Sequence, residues 1–304
     1  LAVPVTLAVS RPRLGSSRFR FSPGAAATLG VVILFGTGLL RAEELWLSAK
    51  LQWRPLVTLT CIMLMTGVVK EGGAFDRLAL HIEARARSSS ALRAFDLIFW
   101  TSVVTPAVLN NDAAILLLTP VVVTLARRVF PDNGAVLEAF AFAVFLAPGV
   151  APFIISNPMN LVVAEFAGLG FNSYAAVMAP ISLVGALLTF VVLRTYYRRA
   201  LLAARPSGEA SPEPERHPAE RPALGFLLVV FLSYPVVAAL DGPMWPVAVT
   251  GALGAISIAF TFRIAPARRL AGHVSFDILF FLWGVFLVVA GLRSVGVVEQ
   301  LTEF

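Results

Sequence analysis

LNNDAAILLLTPVV at residues 109–122 and APFIISNPMNLVVAEF at residues 151–166 set two polar clusters into sequence that is otherwise almost wholly apolar. The first is Asn110-Asn111-Asp112 and the second Ser156-Asn157-Pro158-Met159-Asn160. Hydrocarbon offers no partner to an amide or a carboxylate, so such groups left unpaired there cost several kcal/mol. Polar residues kept at membrane depth face a bundle interior or a wet cavity, and are functional candidates by default. The two clusters therefore read as halves of one solute site.

The rest of the composition agrees with a membrane setting. Of 304 residues, 58% are hydrophobic and 14% charged, with a mean hydropathy of +0.83, whereas a soluble domain carries about 25% charge. This is the pattern of an all-α polytopic membrane protein. The formal net charge of +6 comes mostly from arginines clustered in loops between apolar runs. That distribution is the topology signal of an inner-membrane protein and excludes a nucleic-acid footprint. Cys61 stands alone, so no internal disulfide is expected. The first apolar run, Leu1–Ser10, lacks a preceding basic region, so no cleavable signal peptide is read. The chain opens at Leu1 without a methionine, and a truncated start is expected. HExxH and GxSxG are absent, so the usual zinc-protease and serine-hydrolase signals are missing. No enzyme, cofactor or metal site is expected.

Working outward, Leu1–Ser10 reads as the tail of a first helix, followed by a cytoplasmic loop with Arg11, Arg13, Arg18 and Arg20. A second span covers 23–40, and an outer loop with Glu43, Glu44, Trp46 and Trp53 leads to a third at about 55–70. Lys70 and Glu71 at its cytoplasmic end are explained by snorkelling or by pairing with each other. A basic loop follows. Later spans are expected at 174–193, 223–240, 244–262 and 276–292. Residues 200–222, rich in proline, glutamate and arginine, read as a solvated cytoplasmic linker in which His217 is a bystander.

Residues 94–126 would run roughly 50 Å as a helix. That is too long for one crossing of an apolar layer about 30 Å thick and too short for two with a turn. Both ends are basic, with Arg93 before and Arg127 and Arg128 after. A re-entrant helical hairpin with Asn110-Asn111-Asp112 at its tip satisfies both facts. Two ordinary spans, or a single tilted one, are the alternatives. Residues 135–167 carry no charge between Glu138 and Glu165, yet Pro148, Gly149, Pro152 and Pro158 interrupt them. Proline removes a backbone donor and clashes with the preceding turn, so this reads as one crossing that unwinds at about 148–160. Asn157-Pro158 has the form of an N-cap followed by the first helical residue, and Asp112 before Ala113-Ala114-Ile115 can be read the same way. A helix that begins at mid-depth aims free N–H groups and the positive end of its dipole at one place. Two such starts facing each other make a site for an anion or polar solute.

GVVKEGG at 67–73 is echoed by GLRSVGV at 291–297, and Gly67 and Gly72 each stand 224 positions before a glycine, Gly291 and Gly296. The same shift lays 23–40 over 244–262, and the arginine bias gives the paired spans opposite directions. This is the mark of an inverted-topology repeat with its site at the repeat interface. The expected division is a first repeat at 1–197, a linker at 198–222 and an incomplete second repeat at 223–304. A second hairpin and broken helix, roughly a hundred residues, are expected to be missing after Phe304.

The two motifs resemble those of arsenite efflux permeases within the ion-transporter superfamily that also includes sodium-coupled dicarboxylate and citrate carriers. The resemblance extends over nearly all of the chain. It implies a carrier whose hairpin tips and broken helices line the site, with Asn111 and Asp112 at the first tip and Ser156, Asn157 and Asn160 in the unwound segment; Asn110 joins them as a candidate substrate-binding residue through the hairpin reading above. It further implies exchange of arsenite or antimonite for protons, in some members alongside a soluble ATPase. Pro158-Met159 departs from the bulkier aliphatic pair expected there. Neutral As(OH)3 is a small solute with three hydroxyls, which Asn and Ser side chains can bind without a covalent bond. Asp112 is the candidate proton-coupling group, because burial makes a carboxylate hold its proton more readily. Two other readings stay open: a sodium- or proton-coupled carrier of a carboxylate, an inorganic anion or sodium, and an inactive truncated membrane fragment.

Overall fold

A computed structural model describes residues 22–88, 90–109, 111–131, 133–149, 151–207 and 217–293. The opening stub, its arginine loop, Asn110, the middle of the linker and positions 294–297 of the repeat lie outside the described residues. The described elements are helical throughout, and six helices are long and apolar enough to cross a membrane.

Two compact units can be described separately. The first holds α1 (Pro23–Gly36), the start of α2 (Ala42–Glu71) and α12 (Phe276–Arg293). Ser22 is the N-cap of α1, and Pro23 at its first position has no N–H to satisfy. Asp277 reinforces this start, accepting from the Ser22 hydroxyl and from Gly24 N at 3.0 Å. Small residues let α1 and α12 approach closely. A methyl group on Gly284 would lie 2.7 Å from Ala27 Cβ, the close approach by which membrane helices gain packing without a hydrophobic drive. Leu34, Leu40 and Leu287 form the core below this contact, with Trp283 and Leu45 against it.

The second unit runs from Thr58 to His273. It holds the rest of α2, then α3 (Ala74–Ser88), α4 (Ala91–Val108), α5 (Asn111–Val129), α6 (Gly134–Leu146), α7 (Pro158–Phe166), α8 (Phe171–Ala203), α9 (Glu220–Ala239), α10 (Met244–Thr261) and α11 (Ala267–Ala271). Helix α4 is central, packing on α3, α5, α6 and α8. Its apolar stripe of Phe95, Ile98 and Phe99 is fully buried, and Phe190 of α8 closes on Phe99 with ring centres 5.2 Å apart.

Several boundaries differ from the sequence reading. The expected outer loop at 41–54 is helical and belongs to α2, whose 30 residues reach about 45 Å. Glu44 caps its start by accepting from Arg41 N at 2.7 Å, and Trp46 remains exposed. Helix α8 continues past residue 193 to Ala203, because Arg194 finds Asp96 of α4 at 2.8 and 3.2 Å in a two-pronged pair. The linker is correspondingly shorter, and its described ends are attached. Ser207 N donates to Val129 O at 2.8 Å and Arg87 to Ser207 O at 3.0 Å. His217 Nδ1 accepts from Ala219 N at 3.2 Å, just before α9. Glu71 pairs with neither solvent nor Lys70 alone: its carboxylate meets His273 at 3.0 Å and Arg269 at 3.3 Å.

Candidate functional site

The first polar cluster sits at a helix break. Helix α4 ends at Val108, and Leu109 leaves helical geometry at φ −99° and ψ −92° while still donating to Thr105 O at 2.9 Å. Helix α5 begins at Asn111 and packs back against α4. A helical hairpin is therefore observed, wider than 94–126. Its arms of 18 and 19 residues each measure about 27–28 Å, longer than the sequence reading allowed. Arg127 and Arg128 in the last turn of α5 suit the negative end of its dipole.

Asn111 occupies the first position of α5, and its Oδ1 is buried with no hydrogen-bond partner among the described residues. A buried amide oxygen left unpaired costs about 1–3 kcal/mol, so a ligand or water bound there would relieve a standing penalty. Asp112 lies inside the first helical turn instead of at the cap position expected for it. The reason is that the helix starts one residue earlier.

The second cluster sits at a longer break. Helix α6 stops at Leu146, and two 3-10 turns (Ala147–Gly149 and Ile154–Ser156) precede the restart at Pro158. The restart comes two residues before the expected limit of unwinding, which places Asn160 in the first turn of α7. Asn157 is extended at φ −144° and ψ 132°, and its Oδ1 accepts from Met159 N at 2.9 Å. It is the N-cap read from the sequence, and Pro158 fills the first helical position where no N–H is needed. That role accounts for Pro158, and nothing in the structure explains Met159.

Ser156 is fully buried, and its Oγ accepts from Phe153 N at 3.2 Å while its own N donates to Phe153 O at 3.1 Å. The hydroxyl proton is left to point elsewhere. Phe153 fixes the break from outside, stacking on Phe171 at 5.4 Å and meeting Phe231 edge-on at 5.4 Å. Both 3-10 turns pack against α4, and the first also packs against α5. The turn bearing Ser156 thus packs on the first arm of the hairpin.

Sequence reasoning passed over two features of this region. Asp96 was not recognised as the partner of Arg194. Ser102 on α4 is fully buried, with a hydroxyl that has no partner among the described residues. Its only signal in the sequence is a serine four residues before a proline.

The citrate transporter (CitMHS) family model matches residues 6–304. An arsenical pump membrane protein of Escherichia coli K12 is 30% identical over 288 residues, covering 92% of this chain and 66% of that protein. A protein of the same description from Yersinia enterocolitica is 26% identical over 303 residues, covering 97% and 68%. A 46 kDa membrane protein of Mycobacterium leprae is 26% identical over 304 residues, covering 93% and 66%. The chain spans about two thirds of the length of these relatives.

Proposed function

This chain belongs to the citrate transporter (CitMHS) family and is a multi-pass protein of the bacterial inner membrane, and from that premise we propose that it forms the larger part of a proton-coupled exporter of arsenite or antimonite. The observation that carries the reading is the packing of an unwound, serine- and asparagine-bearing segment against the arms of a helical hairpin. The side chains offered, Asn111, Ser156, Asn157 and Asn160, are neutral donors and acceptors. They suit an uncharged trihydroxy solute, which needs hydrogen bonds and no counter-charge. Asn110 and Asp112 complete the hairpin tip in this reading, with Asp112 carrying the coupling proton. The relatives described as arsenical pump membrane proteins support this choice of solute.

The second reading is a carrier of a di- or tricarboxylate, favoured by the family's own description. The helix start at Asn111 presents N–H groups that favour an anion. Flux in everted vesicles decides between them, using arsenite, citrate and sodium with and without a proton gradient. Arsenite uptake driven by the gradient is expected. Citrate or sodium flux without an arsenite signal refutes the first reading. In an arsenite-competent protein, Asp112→Asn is expected to abolish gradient-driven uptake while the protein stays folded; unchanged coupling removes Asp112 from its role.

An inverted repeat underlies the proposed architecture. Its support is that element bounds recur at the 224-residue offset. Pro23–Gly36 falls within the shifted Met244–Thr261, and Ala42–Glu71 matches Ala267–Ala271 plus Phe276–Arg293. A soluble ATPase partner is a further proposal, tested by co-purification with the protein.

A further inference from the structure

We propose that a stack of aromatic rings, running from the Ser156 turn through the start of α8 to α9, sets the position of the Ser156 hydroxyl and with it the affinity for solute. Phe171 and Tyr234 are then positioning residues, acting on the solute only through that turn. The inference rests on the carrier reading above, in which Ser156 meets the solute, and adds what holds it there.

Ser156 has little of its own to keep it in place. The 3-10 turn at Ile154–Ser156 is three residues long, and turns of this kind have poor hydrogen-bond geometry. The next residue, Asn157, is already extended. Both bonds of Ser156 go to a single residue: its N donates to Phe153 O at 3.1 Å, and its Oγ accepts from Phe153 N at 3.2 Å. Whatever fixes Phe153 therefore fixes the hydroxyl. Phe153 is itself extended, at φ −120° and ψ 157°, so no helix holds its backbone. The task falls to its side chain.

The Phe153 ring lies on the Phe171 ring, with centres 5.4 Å apart and planes 7° from parallel. Phe171 is the first residue of α8 and is buried. Its ring in turn lies 5.8 Å from that of Tyr234 on α9, 12° from parallel. Phe231, one turn before Tyr234 on the same face of α9, meets Phe153 edge-on at 5.4 Å. At such separations aromatic pairs add to the gain from burial alone. A further tie lies beside the stack, where Asn172 Nδ2 donates to Pro235 O at 3.0 Å. The break, α8 and α9 are thereby joined around Phe153. A tilt of α9 would pass through rigid rings to the turn, so α9 regulates the solute contact without reaching it.

The Tyr234 hydroxyl shows which part of that side chain acts. Tyr234 is buried, and its hydroxyl has no hydrogen-bond partner among the described residues. It adds no bond to the stack, and the ring alone does the positioning.

Counterflow of arsenite at equal pH on both sides gives KM and Vmax without a driving gradient. Phe171→Leu and Tyr234→Leu each remove one ring and are expected to raise KM about three- to tenfold. Tyr234→Phe keeps the ring and should retain the unaltered KM. A purely structural role would lower Vmax with the amount of folded carrier and leave KM alone; that result in both leucine variants overturns the inference. So does a KM in Tyr234→Phe raised as far as in Tyr234→Leu, which would assign the effect to the hydroxyl. Absence of counterflow in the unaltered protein sinks the carrier reading instead, and hydrogen exchange without solute then judges the stack. Exchange at the Phe153 and Ser156 amides should quicken about threefold or more in both leucine variants and stay unaltered in Tyr234→Phe. Equal exchange in all of these proteins overturns the inference. Should the leucine variants fail to fold, Asn172→Ala, at an exposed position, carries the test: it should quicken the same exchange, and unaltered exchange refutes the stack.

Discussion

Gly67 is predicted to be irreplaceable because His273 lies flat on it. A methyl group at position 67 would stand 2.8 Å from His273 Cβ, Cγ and Cδ2, well inside the 3.5–4.0 Å or so of a comfortable carbon contact. Because Cβ itself is involved, rotating the ring does not help, and the backbone near residue 273 must move. Overpacking of this kind costs about 1–3 kcal/mol. The move also breaks the 3.0 Å contact between His273 Nε2 and Glu71 Oε1, whose side chains are 18% and 15% exposed. We take about 1 kcal/mol for that contact, between an exposed ion pair and a hydrogen bond to a charged group. Against these losses, alanine favours a helix over glycine by roughly 0.8–1 kcal/mol. Gly67→Ala should therefore destabilise the protein by about 2 kcal/mol. Replacing His273 by glycine removes both the clash and the contact and leaves only the helix preference. In that background Gly67→Ala should be neutral or stabilising by up to about 1 kcal/mol. Reversible unfolding in mixed micelles, followed by circular dichroism for the four proteins of the double-mutant cycle, measures the difference. A cost for Gly67→Ala that is the same in both backgrounds, as independent sites give, would falsify the clash argument.

Three other outcomes follow from the geometry. Asn157→Ala should cost about 1 kcal/mol through loss of the cap on Met159 N, whereas Asn157→Ser keeps the cap; if transport falls in both while only the first loses stability, Asn157 also meets the solute. Arg77 and Glu220 meet at 2.6 Å with side chains 18% and 11% exposed, so Glu220→Ala should cost about 2–3 kcal/mol, somewhat less than for a fully buried pair. An unchanged unfolding midpoint in that variant would show that the pair does not anchor the start of α9. Finally, Gly284→Ala, whose methyl would meet Ala27 Cβ at 2.7 Å, should loosen α1 from α12 at a cost of about 1–3 kcal/mol. Faster hydrogen exchange confined to Pro23–Gly36 and Phe276–Arg293 is the expected signature, and unaltered exchange there counts against close packing of the two helices.

The sequence alone determined the elements whose cause is local. Apolar run length set the helices at 223–240, 244–262 and 276–292, close to where they are found at 220–239, 244–261 and 276–293, because hydrocarbon demands that each segment satisfy its own backbone. Asn157-Pro158 announced a helix start through its own side chain and its missing donor, and the prolines at 148 and 152 announced the unwinding before it. The hairpin break was legible for a similar reason, in a run with basic residues at both ends that is too long to cross once.

What only the tertiary structure decided depends on partners distant in the chain. Helix α8 runs on to Ala203 alongside the Asp96–Arg194 pair, which joins residues 98 positions apart. Glu71 turns to His273 and Arg269 and not to its neighbour Lys70. Asp112 moved from cap to first turn because hairpin closure starts the helix at Asn111. Ser102 stood out only once its burial and its lack of a partner were seen. A hydrogen bond or an ion pair is a property of two places, and the order of residues along a chain specifies one place at a time.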